Sequence, residues 1–388
     1  LGTVWPFEAA IEETMATDVK LSVGDPAPWF QQRTSTRPRF VFDVAAGRYL
    51  VLCFFASASH AHARAALDAV HARRDLFDDR KAAFFGVSLD PADESEQRVA
   101  DVVPGYRYFW DFDATVSQAY GAAAAGAAEP FADAASCQWV ILDPTTRVID
   151  VIAFADDRSD IARVLDLVER LPPPSAFAGF EVAAPILVLP NVFEPALCRE
   201  LVALYESHGG KDAGFMRDVD GKTLDDVDYS HKRRRDHVIK DKAVIDRTKA
   251  LLKRRVSPEI LKVHQFHVTR IERFIVACYD SAEAAHFRPH RDNTTIGTAH
   301  RRFAVSINLN DDFDGGEVSF PEYGRRSYKA PAGGAVVFSC SLLHAVSTVK
   351  RGRRYAFLPF LYDDAAAKIR EANSPMLGEG GARYRAGG

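Results

Sequence analysis

The spacing of apolar residues divides the chain into two textures. Over residues 20–171, dense apolar runs alternate with helical stretches. Arg48-Tyr-Leu-Val-Leu-Cys-Phe-Phe55 and Ala83-Phe-Phe-Gly-Val-Ser-Leu89 hold almost no polar side chain, the pattern of strands covered on both faces. The first runs into the small-residue turn Ala56-Ser-Ala-Ser59 and a helical stretch through Leu76, and the second closes at Asp90-Pro91. Residues 138–142 and 148–154, separated by Asp143-Pro144, predict a hairpin, and 160–171 predict a helix with one apolar stripe. Strands alternating with helices predict a sheet covered by helices. Leu171-Pro-Pro-Pro-Ser-Ala-Phe-Ala-Gly179 then predicts a stiff, extended linker over 172–184, because three prolines cannot continue a helix.

The second texture begins with a short strand at 185–190 and a helix opened by Glu194-Pro195 that continues through Tyr205. Residues 208–240 show no period and predict a long surface loop, and 242–263 predict one helix. From Ile271 onward, short runs are separated by Gly and Pro turns. Phe303, Val305, Ile307 and Leu309 alternate with Ala304, Ser306 and Asn308, so one face is apolar and the other small or polar. Several such strands predict a sandwich or barrel whose mouth has room for a small molecule.

Composition narrows the partners. With 388 residues and roughly 100–200 residues per domain, two or three domains are expected. A formal net charge of −4 argues against nonspecific nucleic-acid binding by the whole chain. The five cysteines are scattered and never spaced Cys-x-x-Cys, which predicts buried free thiols and a cytoplasmic setting. No apolar run approaches the roughly 18 residues needed to cross a bilayer, so no membrane partner is expected. The first methionine is Met15, and residues 1–19 read as an extension outside the fold. Residues 364–388 read as a tail. The run His231-Lys-Arg-Arg-Arg235 reads first as a solvated charged loop beside the site. Its second reading is a contact to an acidic substrate or nucleic acid.

The residues that carry chemistry sit in the second half. His290 and Asp292 stand two apart, the spacing that puts both side chains on one face of a strand. His344 from another strand would complete two imidazoles and one carboxylate, the facial set of a non-haem Fe(II) oxygenase, with open positions for substrate and oxygen. Arg354, ten residues further on, supplies a guanidinium suited to a carboxylate.

Two resemblances follow from these motifs. Val23-Gly-Asp-Pro-Ala-Pro28, Phe54-Phe-Ala-Ser57, Val87-Ser-Leu-Asp90, Ala119-Tyr-Gly121 and Val140-Ile-Leu-Asp-Pro144 together resemble a peroxiredoxin of the thioredoxin-like superfamily over residues 20–171. Where that family places its reactive cysteine, this chain reads Ala58-Ser-His-Ala-His-Ala-Arg64, so the domain is expected to be redox-inactive and to serve in interaction or substrate presentation. Two histidines there, His60 and His62, lack a third ligand and make a poor metal site.

Tyr279, His290-Arg-Asp292, Phe313-Asp-Gly-Gly316 and His344 through Arg354 resemble the Fe(II)- and 2-oxoglutarate-dependent dioxygenases, prolyl-hydroxylase branch, over residues 185–363. That resemblance implies a mainly-β double-stranded β-helix (jelly-roll) with flanking helices behind the α/β thioredoxin-like domain. It implies Fe(II) on His290, Asp292 and His344, with O2 and 2-oxoglutarate as cosubstrates and ascorbate as an accessory reductant. Arg354 is expected to pair with the distal carboxylate of 2-oxoglutarate, and Tyr279 and Asn308 to hydrogen-bond it. The implied reaction is hydroxylation of an unactivated C–H bond in a peptide or small molecule. A scaffold protein with both domains inactive is the alternative. Peroxiredoxin-like folds often pair, so a homodimer is compatible with the first domain. Arg353, next to Arg354, is expected to point to the opposite face, and His286 to be structural.

Overall fold

The computed structural model describes residues 21–123, 137–378 and 384–386. The predicted extension, 1–19, lies outside them, as does most of the end of the predicted tail. The chain falls into two compact units. One comprises the described residues up to Ala183 with Pro321–Arg325, and the other Ala184–Phe320 with Arg326 onward.

The first unit is built on a five-stranded sheet in the order Tyr106–Trp110, Ala82–Ser88, Tyr49–Phe55, Gln138–Leu142, Val148–Ala153. The first three strands run parallel, and the last two form the expected antiparallel hairpin. Every residue of Tyr49–Phe55 and Ala82–Ser88 is buried, as their continuous apolar runs require. Alternation sends Val51, Cys53 and Phe55 toward the helices Ala61–Ala72 and Ser159–Arg170, where they meet Ala66, Val70 and Val164. Leu50, Leu52 and Phe54 pack on the other face with Phe42, Val116 and Tyr120. The strand Tyr106–Trp110 escaped the sequence reading because Arg107 interrupts its apolar run. Its Tyr108 ring crosses Gly86, where a Cβ would lie 2.5 Å from the ring. After the last helix, the proline run does not stay extended throughout; Pro174–Ala176 close one 3-10 turn.

The second unit is two facing sheets. The larger runs Arg270–Glu272, Phe360–Tyr362, Phe303–Asn308, Arg353–Phe357, Ile275–Asp280, Arg235–Val238, Lys211–Asp212, with Ala335–Ser339 and Leu187–Leu189 joined at Phe303–Asn308. The smaller runs Lys232–Arg233, His286–His290, His344–Val346, Val318–Ser319, Ser327–Tyr328. One face of the larger sheet presents Val276, Val305, Ile307 and Phe357 to Leu197, Leu201, Val244 and Leu252 of two covering helices. The opposite face presents Ile275, Ala277 and Tyr279 to Phe287 and Val346 of the smaller sheet. The candidate site lies in this inter-sheet space.

Four expectations need correction here. Residues 208–240 are not a loop: they contain Lys211–Asp212, Phe215–Val219, Lys222–Asp226, Lys232–Arg233 and Arg235–Val238. The pattern was hidden because the inward positions Lys232, Arg234 and Asp236 are charged, so hydrophobicity shows no alternation. The helix expected over 242–263 is two, Lys242–Arg255 and Ser257–His264; Pro258 has no N–H to bond the carbonyl four residues back. The apolar run Tyr355-Ala-Phe-Leu-Pro-Phe-Leu-Tyr362, which reads from sequence as one closing strand, is likewise split between two, Arg353–Phe357 and Phe360–Tyr362, separated at Pro359. The predicted tail opens with a helix, Asp364–Asn373, whose N-terminus is capped by the Asp363 carboxylate accepting from the Ala366 amide at 2.8 Å.

Candidate active site

Pairing of His286–His290 with His344–Val346 places His290 opposite His344, and their ring centroids lie 4.2 Å apart. His290 Nδ1 is 2.8 Å from the Arg288 carbonyl and His344 Nδ1 is 3.0 Å from the Leu342 carbonyl. A carbonyl only accepts, so each Nδ1 carries the proton and each Nε2 keeps its lone pair. Both Nε2 atoms face Asp292, just past the end of the strand, at 3.7 Å from Oδ1 for His290 and 3.3 Å from Oδ2 for His344. Asp292 is fixed from behind, its amide donating to the Cys340 carbonyl at 2.9 Å.

One ligand atom from each of the three residues falls within 4.8 Å of the others, the one such group of three among the described residues. Burial, reinforced by His344, holds the His290 imidazole well below its usual pKa, so the ring is neutral, the form a metal ligand needs. Phe287 stacks on His290 with centroids 3.4 Å apart and limits the ring's tilt. Two imidazoles that keep Nδ1 on a backbone carbonyl and turn Nε2 to one carboxylate are a donor set that fits Fe(II).

The second feature is a buried cation. Arg354 stands opposite Tyr279 in the larger sheet, and its Cζ lies 5.2 Å from the Tyr279 ring centroid. It is 2% exposed. Its Nε donates to Asn308 Oδ1 at 2.9 Å and its Nη2 to Ser306 Oγ at 2.7 Å. Nη1 is buried without a hydrogen-bond partner among the described residues. A buried N–H left unpaired is costly, and a ligand carboxylate would satisfy it bidentately. Burial lowers the guanidinium pKa, partly offset by Tyr279. Gly316 of the Phe-Asp-Gly-Gly motif stands at φ +65, and a Cβ there would approach Arg354 Cδ to 2.9 Å. That glycine leaves room for the arginine stem.

The remaining expected residues fall as follows. Asn308 Oδ1 accepts from Arg354 and its Nδ2 donates to the Ala330 carbonyl at 2.7 Å, so the amide aims Arg354 while its second N–H is not used by either bond. Tyr279 reaches Arg234, which donates from Nη1 to the phenol oxygen at 3.3 Å. Arg353 points to the opposite face, pairing with Asp280 and Glu206. His286 Nδ1 lies 2.9 Å from the Ala284 carbonyl, a structural contact. In the first unit, His62 pairs with the buried Asp160 at 3.0 Å, and Trp139 Nε1 donates to the same carboxylate at 2.8 Å. Cys53 is fully buried, and burial pushes its thiol well above the usual range.

Sequence reasoning singled out the run His231–Arg235 but missed the burial of Lys232 and Arg234, which are 4% and 5% exposed. The first reading, a solvated loop, fails because alternate members turn inward. Their signal was the polar alternation Lys232-x-Arg234-x-Asp236, which a search for apolar periodicity passes over.

Comparison with known proteins agrees with both halves. Residues 23–151 match the AhpC/TSA family. A PKHD-type hydroxylase from Synechococcus sp. is 30% identical over 93 residues, covering 22% of this chain and 41% of that protein. The chain thus spans less than half the length of that relative. Among solved structures, a prolyl hydroxylase from Trichoplax adhaerens is 15% identical with a TM-score of 0.38, covering 48% of this chain and 86% of that one. Mycobacterium tuberculosis AhpC is 22% identical with a TM-score of 0.33, covering 39% of this chain and 94% of that one. The chain thus joins a thioredoxin-like unit whose residues 23–151 match the AhpC/TSA family to a second unit of two facing sheets that is similar in sequence, over part of its length, to PKHD-type hydroxylases.

Proposed function

We propose that the second unit is an Fe(II)- and 2-oxoglutarate-dependent dioxygenase that hydroxylates an unactivated C–H bond of a peptide or small molecule. The observation that carries this reading is the pairing of two features in one inter-sheet space. Two lone-pair Nε2 atoms converge on one carboxylate, and a buried guanidinium offers an unpaired Nη1. His290, Asp292 and His344 would hold iron, and Arg354 the distal carboxylate of 2-oxoglutarate. Iron with 2-oxoglutarate supplies oxidation by O2, coupled to decarboxylation of 2-oxoglutarate to succinate and carbon dioxide.

The protein's own residues do the positioning. Arg288 and Leu342 carbonyls fix both imidazole tautomers, Phe287 limits the tilt of His290, and Asn308 with Ser306 aims Arg354. Tyr279, Ala285, Phe287, Val346 and Val349 form the apolar lining, which keeps water from competing for Arg354 and strengthens its pairing with an anion. With no cysteine at the Ala58–Arg64 turn and Cys53 buried, the first unit serves in interaction or substrate presentation and not in peroxide reduction.

The test is an anaerobic titration of iron-loaded protein with 2-oxoglutarate, followed by visible absorbance. A band that appears in the wild type and fails in Arg354→Ala and His344→Ala is expected. No band in well-folded, iron-supplemented wild type would overturn the reading in favour of a two-domain binding protein.

A further inference from the structure

The inter-sheet wall holds a second buried cation that the reading above does not use. Lys232 is 4% exposed and stands opposite Phe287 where Lys232–Arg233 pairs with His286–His290. Its Nζ lies 5.1 Å from the Phe287 ring centroid, and that ring is stacked on His290. Among the described residues its one hydrogen-bond partner is the Gly214 carbonyl, and no carboxylate pairs with it. Burial pushes the ammonium well below its usual pKa; Arg234 and Arg273 push the same way, while Asp236 and Asp225 oppose. Asp236 is held by Arg234 at 2.7 and 2.6 Å and by Arg273 at 3.1 Å, and Asp225, exposed on the strand Lys222–Asp226, lies against Gly214 and attracts the ammonium without forming an ion pair with it.

Arg354 and Arg234 both lie against the Tyr279 ring, at 5.2 and 5.7 Å, whereas Lys232 lies over Phe287, the ring stacked on His290. A dianionic cosubstrate held by iron and Arg354 leaves the Lys232 amine without a carboxylate partner, and a carboxylate arriving beside it favours its charged form. Isolated buried charges are unfavourable unless a partner arrives, and the only molecule still to enter this space is the primary substrate. We propose that Lys232 is a specificity residue that receives a carboxylate of the primary substrate, so that the site selects acidic substrates over neutral ones. This inference rests on the oxygenase reading of the same site.

A carboxylate can come from a free C-terminus or from an acidic side chain, and paired probes separate the two. Full-length protein with Fe(II) and the unreactive cosubstrate isostere N-oxalylglycine is titrated calorimetrically under anaerobic conditions. One pair is N-acetylproline against N-acetylprolinamide. The other is a doubly capped proline–aspartate dipeptide against its proline–asparagine counterpart. In at least one pair the carboxylate member is expected to bind about tenfold tighter or more, the strength of a charge-assisted hydrogen bond. Lys232→Met removes that preference, and Lys232→Arg retains it. The pair that shows the preference identifies the carboxylate source.

Equal or undetectable binding of both carboxylate probes by wild type overturns the proposal, whether or not the variants fold. It is also overturned if Lys232→Met weakens 2-oxoglutarate binding as Arg354→Ala does, since Lys232 would then serve the cosubstrate. Failure of wild type to bind 2-oxoglutarate at all is a different result and refutes the oxygenase reading instead.

Discussion

Replacing Arg354 with methionine separates ligand binding from fold stability, because the two respond differently. In the free protein the guanidinium is buried, its Nη1 is unpaired, and its other bonds run to Asn308 and Ser306. Methionine removes those two bonds, each worth about 1 kcal/mol net, and leaves Asn308 Oδ1 without its donor at a cost of about 1–3 kcal/mol. Against this, it relieves the burial of a charge with no counter-ion. Exchanging buried ionic groups for apolar ones of similar volume ranges from neutral to about 1–4 kcal/mol stabilising. The terms oppose each other, so the unliganded variant should lie between about 1 kcal/mol more stable and about 5 kcal/mol less stable than wild type.

The cosubstrate response is one-sided. A carboxylate on Nη1 and the second hydrogen of Nη2 makes two charge-assisted bonds of about 1.5–3 kcal/mol each. Losing both weakens 2-oxoglutarate binding by roughly 10²–10⁴-fold. Calorimetric titration of the iron-loaded protein measures the affinity, and denaturant unfolding without ligand measures the stability. A variant of unchanged stability whose affinity stays within tenfold of wild type would refute the assignment of Arg354 to the cosubstrate.

Three further outcomes are expected. Asp292→Asn keeps the side-chain shape but removes the anionic oxygen between the two imidazoles; iron affinity, read by metal analysis after equilibrium dialysis, should fall by at least about tenfold, since even indirect partners of metal ligands cost that much. Glu272 accepts from Arg301, which also donates to the Asp292 carbonyl, at 2.9 Å and lies 2.9 Å from Arg370 and 3.1 Å from His300 Nε2; burial alone would raise its carboxyl pKa, but Arg301, His300 and Arg370 overcome burial and hold it well below the usual range. Glu272→Gln should therefore cost about 3–5 kcal/mol near neutral pH. Because the folded pKa is depressed, that contribution is complete above the unfolded value of about 4.3 and disappears as pH falls through the folded one, so unfolding curves of wild type and variant should converge in acid. Cys53→Ala should leave peroxide consumption by the protein indistinguishable from wild type in a thiol-peroxidase assay; a loss on substitution would refute the inactive reading of the first unit.

The order of legibility along the chain follows how each element satisfies its side chains. Tyr49–Phe55 and Ala82–Ser88 were readable because strands buried on both faces must be apolar at every position. Phe303–Asn308 was readable because one face meets a helical layer while the other holds only Ser306 and Asn308 as polar groups. The His-x-Asp pair with a later His344 was readable because few other structures need those residue types together. Sequence cannot show that the Asn308 amide also bonds Ala330 and Arg354.

The strands between residues 208 and 240 were illegible for the reason that makes them interesting. A strand facing an apolar core announces itself by alternating hydrophobicity, but one facing a polar ligand space alternates charge with charge. Lys232, Arg234 and Asp236 turn inward while Arg233 and Arg235 turn toward solvent or neighbouring carboxylates, so both faces look alike to a hydrophobicity count. Burying three charged groups on one short segment is unfavourable unless each is compensated. Two of the three compensate each other through Arg234 and Asp236. The third, Lys232, meets the Gly214 carbonyl and the Phe287 ring but forms no ion pair among the described residues. A buried amine without an ion-pair partner on the wall of a ligand space points toward what the space binds, so the segment least visible to hydrophobic patterning carries the most information about the substrate.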